Sequence, residues 1–135
     1  MAPTLRSALA VPFAWTSTPT DINLLFPSGT SPVNVNITSG TYRMHLAPSA
    51  SDFIRVVQTA INAAIIAAGR SEIFVVAMGA DSRITITGQG TFSVQTLTEC
   101  MKTLGFDAVP TSVTSATAAN PPKHFAAFVD RKSTR

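Results

Sequence analysis

Between residues 33 and 37 the chain alternates apolar and polar residues, Val33-Asn34-Val35-Asn36-Ile37. A period of two puts successive side chains on opposite faces, the pattern of a half-buried strand. Ser39-Gly40 predicts a turn, and Thr41 to Leu46 resumes an extended pattern. The period then changes. Apolar residues at 53, 56, 57, 60, 61, 64, 65 and 68 make the stripe of a helix lying on a sheet. Ser49 or Ser51 is placed to accept hydrogen bonds from the first-turn amides, Asp52 suits the positive end of the helix dipole, and Gly69 ends the helix. Arg55, Gln58, Thr59 and Asn62 fall on the other, polar face.

Glu72 to Met78 is apolar on both faces and predicts a central strand. Gly79-Ala80-Asp81-Ser82 supplies a turn. Ile84 and Ile86 alternate with Thr85 and Thr87, and Phe92 and Val94 alternate with Ser93 and Gln95. Gly88-Gln89-Gly90 between them reads as a turn or bulge, so residues 82–95 resemble a hairpin. Leu97 to Leu104 predicts a short helix, with Thr96 as N-cap and Gly105 as its stop. The order strand, strand, helix, strand, strand, strand, short helix implies an α+β fold, a small antiparallel sheet with one main helix packed on one face.

The flanks read differently. Residues 1–32 hold five of the nine prolines and predict an extended arm. Its apolar side chains Phe13, Trp15, Leu24, Leu25 and Phe26 must be buried, either on their own domain, the plainer reading, or along a neighbouring subunit. Residues 107–135 predict an extended C-terminal segment, with Phe125 and Phe128 as apolar contacts before a basic end of Lys123, Arg131, Lys132 and Arg135. The division expected is therefore an arm over 1–32, a core over 33–106 and a C-terminal segment over 107–135.

Composition changes this picture in one respect. Apolar residues make up 45% of the chain and charged residues 13%, against about 25% charged in an average protein. The polar surface must come from Thr, Ser, Asn and Gln, which defend poorly against association. That favours a subunit over a free monomer. Residues 1–122 hold six basic and six acidic groups, so the net charge of +3 lies in the basic end. Such a neutral body is not a usual nucleic-acid-binding domain. The tail reads as a solvated terminus, or as a contact for an acidic surface or phosphate. Cys100 is the single cysteine, so neither an internal disulfide nor a CxxC metal site can form. No stretch approaches the roughly 20 apolar residues of a membrane span, and the N-terminal apolar run is too short for a secretory signal. A soluble chain is expected.

Catalytic chemistry finds little to stand on. Gly88-Gln89-Gly90 is followed by strand-like residues, whereas a phosphate loop needs a helix N-terminus there. His45 and His124 each stand without a carboxylate or cysteine at ligand spacing. Cys100 lies on an amphipathic stretch and reads as a small buried hydrophobe. The expectation is no catalytic residue, no cofactor and no metal.

"ITSGTYRMHL", a helix carrying "VVQTAINAAI", then "EIFVVAMGADSRITITGQGTFSVQ" and "LTECMKTLGF" follow one another between residues 37 and 106. This order resembles a module of virion structural proteins from tailed bacteriophages and some large DNA viruses. Its marks are a strand ending in Gly-x-Tyr, here Gly40 and Tyr42; a helix with an Ala-Leu-Asn-like centre, here Ala60-Ile61-Asn62; an Ile-Thr-Ile hairpin; and a closing Leu-Gly-Phe, here Leu104-Gly105-Phe106. The resemblance covers about half of the chain and carries over no active site. It implies a repeated building block of a phage particle, in a tail, baseplate, fibre attachment or head surface, made in the host cytoplasm. Its partners would be copies of itself and other virion proteins, with neither nucleic acid nor membrane. The alternative is a small nucleic-acid- or glycan-binding module using the basic tail.

Overall fold

A computed structural model describes residues 12–27, 32–44 and 52–124 of the chain. The fold is α+β, with antiparallel strands and one main helix. Its strands are β1 (Phe13–Trp15), β2 (Ile22–Leu25), β3 (Val33–Val35), β4 (Gly40–Tyr42), β5 (Val75–Met78), β6 (Ile84–Val94) and β7 (Val113–Thr117). The helices are α1 (Phe53–Ala67) and α2 (Glu99–Thr103). Five strands form one sheet in the order β3-β2-β6-β5, with β7 also pairing with β6, while β1 and β4 make a separate two-stranded sheet.

β6 organises the large sheet. Its alternation buries Ile84, Ile86, Phe92 and Val94 against α1 and the rest of the core. A turn at 88–90 does not occur. β6 runs through it as one strand, and the irregularity appears against β7, where the four residues of β6 between Thr87 and Phe92 oppose the single Thr114 of β7. This is an enlarged bulge. Gly88 is there for close approach: a Cβ on it would meet ring carbons of Phe74 and Phe92 at 3.0 Å. Those rings pack edge-to-face with centroids 5.0 Å apart. The hairpin is instead β5–β6, from Met78↔Ile84 to Val75↔Thr87.

β5, expected as a central strand, is an edge strand whose one backbone partner is β6. Its other side meets α1. The amide of Asn62 donates to the carbonyl of Phe74 (3.0 Å) and accepts from the Phe74 N–H (2.8 Å), and Gln58 accepts from the Val76 N–H (2.9 Å). Four residues of helix rise about 6.0 Å and two of strand about 6.7 Å, so side chains at i and i+4 match alternate strand residues. Gln58 and Asn62 are therefore not on a free polar face; they occupy the hydrogen-bonding groups of an edge.

Both helices end alike. In α1, Gly69 N–H bonds Ile66 O (2.9 Å) and Arg70 N–H bonds Ile65 O (3.0 Å); in α2, Gly105 N–H bonds Lys102 O (3.0 Å) and Phe106 N–H bonds Met101 O (3.0 Å). These are Schellman motifs, and both glycines have positive φ. Asp52 itself caps α1 through the Ile54 N–H (3.2 Å), while Ser49 and Ser51 lie outside the described residues. Thr98, not Thr96, caps α2 by accepting from the Met101 N–H (3.3 Å). Thr96 serves elsewhere: its N–H bonds the Asn23 side chain at 3.1 Å.

Residues before 33 share the core with those after it. Phe13, Trp15, Leu24 and Phe26 all lie in the same core as α1, and β2 sits between β3 and β6. Phe53 at the head of α1 is ringed by Phe13, Trp15 and Tyr42, with centroids 5.2, 5.2 and 5.5 Å away. Beyond residue 107, β7 pairs with β6 and buries Ala116.

Candidate functional site

Two larger concavities and three exposed apolar side chains mark the described surface. The larger concavity, about 640 Å³, opens between β1 and α2. Phe13 and Trp15 form its aromatic side; Thr16, Thr18, Thr20, Thr98 and Thr103 supply hydroxyls; Asp21, Glu99, Cys100 and His124 complete it. The His124 ring stacks on Phe13 with centroids 4.4 Å apart and planes 9° from parallel.

Several polar groups of this cleft, Asp21, Thr18 and Thr98 among them, are already engaged. Asp21 is buried and accepts from the Thr18 N–H (3.2 Å), the Thr18 hydroxyl (2.8 Å) and the Ile37 N–H (2.6 Å). The Thr98 hydroxyl donates to the Asp21 carbonyl at 2.5 Å. Burial, with the Asp21 charge adding to it, pushes the Cys100 thiol far above its ordinary value, so it stays protonated and unreactive. The Thr98 hydroxyl thus holds the start of β2 to the N-terminus of α2, and the Asp21 carboxylate ties it to Thr18 and Ile37. The Trp15 indole N–H is buried with no hydrogen-bond partner among the described residues.

The second concavity, about 620 Å³, lies between β3 and α1 and is lined by Asn34, Asn36, Thr38, Arg55 and the small side chains of Ala60, Ala63 and Ala64. Among the described residues the large exposed apolar side chains are Ile66 in the last turn of α1 and Ile73 and Val75 in the segment leading into β5, at 71%, 59% and 50% exposure. Among the described residues no group of three His, Cys, Asp or Glu is placed to hold a metal, and no helix is long and apolar enough to cross a membrane.

The residues singled out in the sequence separate in space. Phe13, Trp15, Leu24 and Phe26 are buried within their own chain, and Leu25 is half-buried. Of the basic residues, Lys123 is exposed and pairs with Glu99 at 3.5 Å. Phe125, Phe128, Arg131, Lys132 and Arg135 lie outside the described residues, as does His45. Sequence patterning missed Gln58, Asn62, Asp21 and Asn23, whose polar side chains bond backbone far along the chain. No local signal distinguishes such residues from solvated ones.

The motif residues have fold-holding contacts. Gly40 lies against the Tyr42 ring, where a Cβ would sit 3.4 Å from it, and the Tyr42 hydroxyl donates to the Thr38 carbonyl at 2.5 Å. Leu104 and Phe106 are buried on either side of Gly105. Comparisons with protein-family models, curated proteins and solved structures return no match for this chain.

Proposed function

We propose that this chain is a structural subunit of a tailed-phage virion, without enzymatic activity, working through contacts with copies of itself and with other virion proteins. The observation that carries the reading is the surface. Ile66, Ile73 and Val75 stand exposed on a body whose charges cancel over residues 1–122. Exposed apolar side chains on a weakly charged body favour a protein contact. The order of the motif residues supports the choice of particle, and its residues act here as turns, stops and ring contacts, as a building block requires. The place of such a subunit is the particle, in tail, baseplate, fibre attachment or head surface.

The test is location. Antibody against the chain, applied to purified particles of the phage encoding it, labels one defined position, and its peptides are recovered from those particles. Recovery from the infected host alone, with unlabelled particles, refutes the reading. Glycan or nucleic-acid binding by the purified protein, lost steeply with salt and on removal of residues 123–135, would instead establish the binding-module alternative.

A further inference from the structure

The large sheet has three outer edges, and they are treated differently. β5 has α1 along its outer side, where Gln58 takes the Val76 N–H and Asn62 takes both peptide groups of Phe74 just before the strand. β3 is three residues long and has α1 beside it. β7 has neither device among the described residues. After β7 the chain turns back to α2, where Asn120 N–H bonds Gly105 O (3.2 Å) and Lys123 N–H bonds Thr103 O (2.9 Å), and no strand among the described residues pairs with the outer side of β7. No charged residue occurs from 108 to 122, and no proline lies within β7. Edge strands are ordinarily guarded by charge, proline, a bulge or a covering element.

The register shows what this edge offers. Ala118 N–H bonds Ile84 O at 2.8 Å, while Thr85↔Thr117 and Thr87↔Ser115 are partners. Hydrogen-bonded and non-hydrogen-bonded pairs alternate in an antiparallel ladder. The backbone groups of Ser115 and Thr117 therefore point away from β6, two N–H donors and two carbonyl acceptors in a row. Their side chains carry hydroxyls already paired with β6, Thr85 to Thr117 at 3.0 Å and Thr87 to Ser115 at 3.2 Å.

The geometry points to a second copy of this chain as the occupant, with β7 pairing antiparallel to β7 about a two-fold axis at Ala116. In that register Ser115 faces Thr117 of the other copy and Thr117 faces its Ser115. Each pair exchanges two backbone bonds, and all four outward groups on each side are satisfied. The hydroxyl rows extend across the junction: Thr87, Ser115, then Thr117 and Thr85 of the second copy, and the reverse. Ala116 meets its own mate at the non-hydrogen-bonded position, where Cα atoms approach to about 4.5 Å and a small side chain fits. A charge-free edge meets no like charge in its copy. The interface is isologous, as a two-fold dimer requires. This deepens the assembly reading and rests on it only for the expectation that copies meet.

Two cysteine variants test the register. Ser115→Cys and Thr117→Cys are prepared separately, one with an affinity tag, and oxidised alone and mixed. In the mixture the two Cα atoms lie about 5.5 Å apart, within disulfide reach. Within either variant alone like positions are offset by two residues and lie roughly 9 Å apart, beyond it. The expected result is a disulfide-linked dimer from the mixture at several times the yield of either variant alone. Ser115→Pro removes one outward donor and no backbone bond to β6, losing there only the Ser115–Thr87 hydroxyl contact, and is expected to weaken dimerisation in sedimentation about tenfold or more; Ser115→Ala, which loses the same hydroxyl but keeps the donor, is the control. If self-association persists in Ser115→Pro and the mixture does not cross-link, β7 is not the interface, though the subunit reading stands. If the protein is monomeric throughout and never cross-links, this pairing is overturned, while particle labelling still decides the subunit reading. Should Ser115→Pro not fold, the mixed cross-link alone is decisive.

Discussion

Replacing Gly105 by alanine tests whether the Leu104-Gly105-Phe106 stop also docks the C-terminal stretch. Gly105 has φ of 104°, and a Cβ there would lie 2.2 Å from the Asn120 carbonyl oxygen. That atom is backbone and cannot swing aside. Gly69 is the matched control, because it ends α1 by the same motif at φ of 79° with nothing within 4 Å of a Cβ. Gly69→Ala therefore carries backbone strain alone, about 1 kcal/mol after the gain from a stiffer unfolded chain. Gly105→Ala carries strain plus overpacking of about 1–3 kcal/mol, or roughly 2–5 kcal/mol in all. Urea unfolding followed by fluorescence of Trp15, the single tryptophan and a core residue, measures both. The expected order is Gly105→Ala well below Gly69→Ala, by at least about 1 kcal/mol. Equal losses would refute the reasoning, since they would mean that the Asn120 contact yields at no cost.

Four further predictions rest on the same contacts. Asn62→Ala leaves both peptide groups of Phe74 without their helix partner and should cost about 1–3 kcal/mol, with faster amide exchange at Phe74 measured by NMR. Gly88→Val should destabilise by a similar amount, because its side chain enters the space between Phe74 and Phe92; unchanged melting would show that the rings are not in contact. Cys100 should resist iodoacetamide at pH 8 in the folded protein and react on unfolding, since burial holds its thiol protonated; prompt labelling of the native chain would contradict that burial. The Arg70 guanidinium bonds Glu72 and lowers its pKa, so this pair's stabilisation is present above the ordinary carboxylate value and lost as pH falls through the lowered one. Glu72→Gln should flatten the acid limb of a stability–pH profile by slightly lowering the neutral plateau, while the stability at low pH stays nearly unchanged.

Periodicity alone determined the kinds of element. The stripe from Phe53 to Ile65 marked α1, and the alternation of Ile84, Ile86, Phe92 and Val94 marked a strand with one buried face, because helix and strand turn side chains through fixed angles. Gly69 and Gly105 marked helix ends for an equally local reason, the positive φ that a Schellman stop needs. What the tertiary structure decided is where backbone and polar groups find partners at long range. Gly88-Gln89-Gly90 looks like a turn, yet β6 continues through it because β7, more than twenty residues later, pairs alongside. Gln58 and Asn62 look solvated, yet they close the edge of β5. The apolar run of β5 suggested a centre, but an edge strand flanked by a helix has the same composition. The candidate contacts divided in the same way. Phe13, Trp15, Leu24 and Phe26 are recognisably residues that must be buried, but which surface buries them depends on chain geometry, and here it is the core of their own fold. The open edge at Ser115 and Thr117 has no sequence signal beyond an absence of charge, because an edge exists only once the other strands have taken their places.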